Sequence, residues 1–312
     1  MISVVICTYN RANLLADVLQ TLCRQTLDHA EYEVIIVDNN STDDTAMVSQ
    51  SFATSYPNVR FCCEARQGLS LARNRGWQEA KGDYVGYIDD DCKAPEHWLA
   101  TAKMIIQTVA PTVFGGPYFA CYATHKPPWF KDSYGSNVPS NKAHVCVDSQ
   151  LTGGNLFIRR DLLAATGGFN ATFGMIGPKS GYGEESELFQ RIRHCQADAI
   201  FYYDPALYVQ HLVRPAKMNL RWQLRNRFVH GRYNYRVYAA ASPSLVHRQL
   251  RQRFQQELPR SLICHLRSLF GFSPSARARY PYYQQYLCEK VGDDLQRLGW
   301  LVEYWQERII KK

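Results

Sequence analysis

The stretch Tyr84-Val85-Gly86-Tyr87-Ile88-Asp89-Asp90-Asp91 decides how the chain is read. Five mainly apolar, β-prone residues run straight into three carboxylates. The apolar run predicts a strand buried on both faces, as in a parallel sheet. The acidic run then belongs at the strand's exit, because three adjacent carboxylates cannot share a dry site unneutralised. Ligands of open α/β sheets bind at such exits. Hard divalent cations take oxygen ligands and often bridge a carboxylate to substrate phosphates. A metal–diphosphate site is therefore expected here. The bland alternative is a solvated acidic turn.

Neighbouring segments repeat the pattern. Ile2 to Cys7 reads as a buried first strand, followed by the polar loop Thr8-Tyr9-Asn10-Arg11. Asn13 is a candidate N-cap for a helix striped by Leu15, Val18, Leu19 and Leu22. Glu33 to Val37 is a second strand, ending on Asp38. Capping residues Asn39 to Asp44 then open a second helix. Asn58 to Cys63 is a short third strand, and Gly68 leads a helix that carries Arg73. The alternation predicts α/β architecture with a parallel sheet. It also places Thr8–Arg11, Asp38 and Asp89–Asp91 around one crevice. No G-x-G-x-x-G follows the first strand and there is no P-loop, so the common nucleotide fingerprints are absent.

Further along, a helix is expected to follow Pro95, and Thr112 to Phe119 reads as one strand. Residues 124–143 read as a long loop rich in Pro, Ser, Asn and Lys, either a lid or a surface excursion. Gly153-Gly154-Asn155 leads a strand whose glycines permit close approach to a ligand. A second Gly-rich loop, residues 173–183, delivers Glu184-Glu185 to the first turn of a helix, where the helix dipole favours carboxylates in any case. His211 follows a short strand.

The ten cysteines form no C-x-x-C pair, which points to a reducing compartment rather than a disulfide framework. No secretory pattern opens the chain and no run of 18 apolar residues occurs, so a cytoplasmic protein is expected. The net charge of +8 is uneven: residues 214–312 hold 19 Lys/Arg against 6 Asp/Glu, a net of +13, and the remainder is net negative. Such asymmetry implies two functional regions, the basic one facing an anionic partner.

Taken together, the motifs resemble the family 2 glycosyltransferases. The matching residues are Val4 to Arg11, Val34 to Asp43, Gly68 with Ala72-Arg73-Asn74-Arg75-Gly76, Tyr87 to Asp91, Gly153 to Arg160 and Gly183 to Leu188. The resemblance covers about residues 2–235 and implies a GT-A fold: a Rossmann-like, mostly parallel sheet flanked by helices. It implies a catalytic domain over residues 1–215, with a nucleotide-sugar half to about 115 and an acceptor half beyond it. A basic helical region, 216–312, follows.

The resemblance also implies an inverting transfer of a hexose from a nucleoside-diphosphate sugar, UDP being the usual base. Thr8, Tyr9 and Arg11 would border the nucleotide, Asp38 the base, Arg73 the base and phosphates, and Asp90 the ribose, with Asp89 nearby. Asp91 would hold Mn²⁺ or Mg²⁺, helped by His211. Gly153, Gly154 and Asn155 would line the sugar and acceptor side. The general base is usually the Asp of a Glu-Asp pair. Here Glu185 stands in its place, one methylene longer, with Glu184 as the fallback. The acceptor would be a glycan or lipid-linked hydroxyl, as in polysaccharide biosynthesis.

Residues 244–270 alternate Arg with apolar residues at helical spacing and contain Pro259. They read as basic amphipathic helices, either a peripheral contact with the inner face of a membrane or a helical lid. Tyr280, Tyr282, Tyr283 and Tyr286 either pack or stack on sugars. Three other functions stay open. One is a nucleotide-sugar-binding pseudoenzyme in which Glu185 is not a working base. Another is a nucleic-acid-binding protein, on the strength of the basic tail alone. The third is a nucleotidyltransferase, although the Thr8–Arg11 loop lacks the glycines such enzymes use.

Overall fold

A computed structural model describes residues 1–146, 150–241, 272 and 274–310. The eight-stranded sheet runs β3-β2-β1-β4-β9-β6-β10-β8. Its strands are β1 (Ile2–Thr8), β2 (Tyr32–Asp38), β3 (Val59–Cys63), β4 (Tyr84–Ile88), β6 (Val113–Gly115), β8 (His144–Val145), β9 (Asn155–Arg159) and β10 (Phe201–Tyr203). β1, β2, β3 and β4 are mutually parallel, as are β6 and β10. β9 runs antiparallel between β4 and β6. A second sheet, in order β5-β11-β7, contains Cys92–Lys93, Val209–Leu212 and Tyr118–Cys121.

Alternation along the central strands feeds two cores. Val4, Ile6, Val34 and Ile36 pack with Leu15, Val18, Leu19 and Leu22 of α1 (Ala12–Leu22) and with Trp98, Leu99 and Ile105 of α4 (Trp98–Val109). Val5, Ile35, Val37 and Val85 face the other way. They pack with Ala72 of α3 (Leu69–Glu79), Leu162 and Leu163 of α5 (Arg160–Thr166), and Leu188, Phe189 and Ile192 of α6 (Glu184–Cys195). With helices on both faces, β2 is buried along all seven residues, which is why it reads as a continuous apolar run. The remaining helix of this half, α2 (Thr45–Ser55), follows β2.

Two local expectations change. α1 begins at Ala12 with Arg11 in the cap position, so Asn13 is inside the helix and caps nothing. Its first turn is served from the next loop: Ala12 N–H donates to Asp43 Oδ2 at 3.2 Å and Arg11 N–H to Thr45 Oγ1 at 3.3 Å. The single strand expected over 112–119 is two strands in different sheets. Gly116-Pro117 breaks it: a Cβ on Gly116 would lie 1.9 Å from Leu207 O, and Pro117 has no N–H to extend a ladder.

The chain divides into two compact units. The first comprises Met1–Cys121, Asp132–Lys179 and Glu184–Leu212; the second comprises Tyr122–Lys131, Ser180–Gly183 and Val213–Lys312. In the second unit, α7 (Leu220–Ala241) packs along α8 (Gly292–Ile310). A Cβ on Gly231 would sit 1.8 Å from Gln296 O, and one on Gly299 1.9 Å from Phe228 O, so the two backbones approach through glycines. Arg232 and Arg236 both bind the buried Glu303, at 2.5 and 2.6 Å. Part of the positive charge of α7 is therefore paired internally, while Arg221, Arg225 and Arg227 are exposed. Tyr280 and Tyr286 are buried against each other and Phe272, whereas Tyr282 and Tyr283 are about 40% exposed. The basic amphipathic stretch 244–270 lies outside the described residues. Among the described residues no helix is long and apolar enough to cross a membrane.

Candidate active site

The parallel strands end together. Thr8, the last residue of β1, sits opposite Asp38, the last of β2, and β4 on the other side of β1 runs out into Asp89–Asp91. The loops leaving β1 and β2 are fastened to one another. Asn10 N–H donates to Ser41 Oγ at 2.9 Å, and Thr42 N–H donates to Asn10 Oδ1 at 2.7 Å. Asn10 (φ 51°) and Asn40 (φ 65°) both take left-handed backbone, which Asn tolerates better than most residues. Asn39 ties in the third exit: its Nδ2 donates to Arg66 O at 2.7 Å, and its Oδ1 accepts from Gly68 N–H at 2.8 Å. Sequence reasoning reads these asparagines as loop and cap residues and misses their role as staples. Their only visible signal is the density of Asn at two successive strand exits.

Within this frame Asp38 is 4% exposed and accepts from Ser41 N–H at 2.9 Å. Thr8 Oγ1 is buried and has no hydrogen-bond partner among the described residues, so it can meet a ligand at no cost to existing bonds. Tyr9 is half-buried, and the 173–179 loop comes close to it and to Gln67 at Gly177.

The three aspartates diverge. Asp90 is buried and bonded to the Arg11 guanidinium. Burial pushes its carboxyl up to about 6, and Arg11 opposes the rise. Asp91 Oδ2 lies 3.5 Å from Arg11 Nη1, and its Oδ1 lies 3.6 Å from His211 Nε2. The second sheet makes that last approach: Asp91 runs directly into β5, where Cys92 pairs with His211 on β11, and Leu212 N–H donates to Asp91 O at 2.8 Å. Asp89 is the most exposed of the three and turns toward Arg73, 3.8 Å away.

The resemblance puts Arg73 beside the base and phosphates. It is 3% exposed and faces the carboxylate pair: Nη1 is 3.0 Å from Glu184 Oε1 and 3.3 Å from Glu185 Oε1. The rings of Phe169 and Tyr87 lie 5.3 and 5.9 Å from the guanidinium carbon. The reason is the face of α3 that carries it. Ser70, Arg73, Asn74 and Trp77 share one stripe, and that stripe holds the loop before α6. Ser70 Oγ donates to Phe173 O at 2.8 Å, while Asn74 exchanges two 2.7 Å bonds with the backbone of Phe169.

The two glutamates differ sharply. Glu184 is 4% exposed, and its Oε2 has no partner among the described residues. Burial raises its carboxyl to about 8; Glu185 adds to the rise and Arg73 counters it. Glu185 is partly exposed, and its Oε1 accepts from Gly153 N–H at 2.9 Å. A Cβ on Gly153 would lie 2.1 Å from that oxygen and 2.3 Å from Arg73 Nη2; one on Gly154 would lie 2.9 Å from Asp89 Oδ2. The glycine pair therefore admits the carboxylate cluster to the backbone. Asn155, expected on the sugar and acceptor side, is fully buried. It accepts from Trp98 Nε1 at 3.0 Å and donates to Pro117 O and Leu207 O at 3.2 and 2.5 Å. Every polar atom of its amide is thereby engaged within the fold, with α4 and with the chain flanking the second sheet.

The family model described as glycosyl transferase family 2 matches residues 3–165, just over half of the chain. The chain belongs to that family. Among its relatives, the glycosyltransferase AglE of Haloferax volcanii is 28% identical over 169 residues, which is 54% of this chain and 55% of AglE. The glucosyl-dolichyl phosphate glucuronosyltransferase of the same organism is 26% identical over 243 residues, 76% of each. The fold is that of the solved mannosyltransferase PcManGT from Pyrobaculum calidifontis, a complex with GDP-Man and Mn²⁺. That likeness has a TM-score of 0.67 at 19% identity and covers 98% of this chain and 87% of that one. The protein is thus a family 2 glycosyltransferase of GT-A fold.

For a divalent cation, the donor set offers one carboxylate, Asp91, and one imidazole, His211, 3.6 Å apart. No group of three or more His, Cys, Asp or Glu forms a metal cage among the described residues. The pair fits a hard cation shared with a substrate diphosphate, which needs only one or two protein ligands.

Proposed function

We propose that this family 2 glycosyltransferase is an inverting, metal-assisted enzyme. It would transfer a hexose from a nucleoside-diphosphate sugar to a hydroxyl of a glycan or lipid-linked acceptor in one displacement. The observation that carries the reading is the presence of two distinct carboxylate sites. Asp91 lies by His211, Glu185 by Gly153, and Arg73 is close to both Glu185 and Asp89.

At the donor end, Thr8, Tyr9 and Asp38 border the nucleoside. Asp91 and His211 would hold Mn²⁺ or Mg²⁺, which supplies positive charge to the departing diphosphate. Arg11, already bonded to Asp90 and close to Asp91, adds a fixed cation at the same end.

At the other end, Glu185 is the general base. Its carboxylate takes the proton of the acceptor hydroxyl as that oxygen attacks the anomeric carbon. The bond from the anomeric carbon to the diphosphate oxygen breaks, and its electron pair leaves with the nucleoside diphosphate. One attack from the face opposite the leaving group inverts the centre. Glu184 is buried, with its carboxyl raised by that burial, whereas Glu185 is partly exposed and so is the member of the pair open to an acceptor.

The test is a thermal-shift screen of nucleotide-sugars, UDP-sugars first and GDP- and dTDP-sugars next, each with Mn²⁺, Mg²⁺ or EDTA. A donor that raises the melting temperature only with metal, and not in Asp91→Asn, supports the reading. Metal-dependent release of nucleoside diphosphate on adding acceptor excludes a non-catalytic binder. Equal stabilisation in EDTA overturns the Asp91–His211 assignment. Peripheral membrane contact through the basic C-terminal region belongs to the same proposal. Flotation with anionic liposomes, full chain against a chain ending near residue 240, checks it; equal binding by both excludes it.

A further inference from the structure

We propose that Tyr118 is a substrate-binding residue whose hydroxyl donates a hydrogen bond to an oxygen of the transferred sugar. The inference rests on the reading of Asp91 with His211 as the metal site and of Glu185 as the base. Every residue it uses belongs to the first compact unit. The sequence hides Tyr118 inside what reads as one strand, Thr112 to Phe119. The break at Gly116-Pro117 instead makes it the first residue of a strand in the second sheet.

Its backbone is held on both sides. Tyr118 N–H donates to Asn137 O at 3.2 Å, and Tyr118 O accepts from Asn137 N–H at 3.0 Å. On the other side β7 pairs in parallel with β11, Tyr118 opposite Val209. Side chains alternate across a strand, so His211, two residues beyond Val209, projects from the same face as Tyr118. The two rings meet there, with centroids 5.1 Å apart and planes 58° apart. His211 in turn pairs with Cys92, the residue after Asp91. Tyr118 is thereby packed on one of the two carboxylate sites.

Its hydroxyl also lies in the field of the other. Burial raises it to about 12, and Asp89, Cys92, Glu185 and Asp91 all add to the rise. That list locates the hydroxyl; a tyrosine is a neutral donor at neutral pH with or without the shift. The hydroxyl has no hydrogen-bond partner among the described residues. A largely buried phenol usually has one.

The chemistry of the reaction says what that partner is. The anomeric carbon is bonded to a diphosphate oxygen, whose charge the Asp91–His211 site would meet through its metal. The same carbon is attacked by the oxygen that Glu185 deprotonates. The sugar ring must therefore meet both groups of residues. Tyr118, packed on His211 and close enough to Glu185 to feel its charge, faces that ring. A sugar offers an acceptor oxygen at each hydroxyl.

The experiment is calorimetric titration, with Mn²⁺, of wild type, Tyr118→Phe and Phe119→Ala. The probes are UDP-glucose, UDP-N-acetylglucosamine, dTDP-glucose and GDP-mannose, each set beside its own nucleoside diphosphate. Phe at 118 keeps the ring on His211 and removes the hydroxyl alone. For the sugar nucleotide that wild type binds tightest, Tyr118→Phe should weaken Kd by roughly 3- to 10-fold. Kd for the matching diphosphate should stay within about 1.5-fold, because the hydrogen bond goes to the sugar. Phe119, 42% exposed and packed against Tyr208 at 5.8 Å, is the control on the opposite face; Phe119→Ala should match wild type with both probes. An unchanged sugar-nucleotide Kd in Tyr118→Phe overturns the inference. So does equal weakening of sugar nucleotide and diphosphate, which is what a disturbed His211 or a diphosphate contact would produce. Either result leaves the proposed function standing. If wild type binds none of the probes with Mn²⁺, the proposed function fails and this contact fails with it.

Discussion

Glu184→Gln isolates the electrostatics of the carboxylate pair. Glu184 is buried and shares Arg73 with Glu185. It would lose its proton near 4.5 in the unfolded chain but keeps it up to about 8 when folded. Between those values the folded state holds the extra proton, so wild type is most stable below pH 4.5 on this account and loses stability as pH rises toward 8. At about 1.4 kcal/mol for each pH unit, the whole window amounts to about 5 kcal/mol, of which about 2 kcal/mol falls between pH 6 and 8. Gln has nearly the same shape and no proton to lose. The variant should match wild type near pH 5 and gain on it steadily above, by about 2 kcal/mol from pH 6 to 8. For a chain of this size that corresponds to roughly 3 °C in Tm. Urea denaturation and thermal melts at pH 5, 6, 7 and 8 measure the gap. A variant less stable than wild type by the same margin at every pH would refute the reasoning, because Glu184 would then be an ionised partner of Arg73 throughout.

Three further outcomes are expected. Asp91→Asn and Glu185→Gln should each cut transfer by at least about 100-fold with melting temperature retained, as loss of a base or of charge stabilisation does; full activity in either ends that residue's assignment. Gly153→Ala puts a Cβ 2.1 Å from Glu185 Oε1 and 2.3 Å from Arg73 Nη2. It should depress kcat while nucleotide binding, measured calorimetrically, stays close to wild type. Gly299→Leu drives side-chain bulk into a spot where even a Cβ lies 1.9 Å from Phe228 O. It should cost at least about 2 kcal/mol, read as an earlier unfolding transition by circular dichroism; an unaltered transition would show that α7 and α8 do not pack through their glycines.

The sequence alone determined the alternation of strands and helices, the buried central strands and the exits at Thr8, Asp38 and Asp89–Asp91. These are local properties: apolar run length, period and turn residues are all written within a short stretch of chain. Its motifs likewise carried the family resemblance, including Glu185 in the usual place of an aspartate. Tertiary structure decided the partners. Arg73 and Glu184 are 111 residues apart, and only the packing of α3 and α6 on one face of the sheet brings Arg73 to the glutamates. Asn155 reads like a ligand contact beside two glycines, yet antiparallel pairing of β9 with β4 and β6 turns it inward, to α4 and to the chain flanking the second sheet. His211 reaches Asp91 through a three-stranded sheet that brings β11 back beside β5 from far along the chain. Periodicity reports which face of an element is apolar; it does not report which distant element covers that face. Where a charged side chain ends up, and therefore its charge state and its role, depends on that second fact.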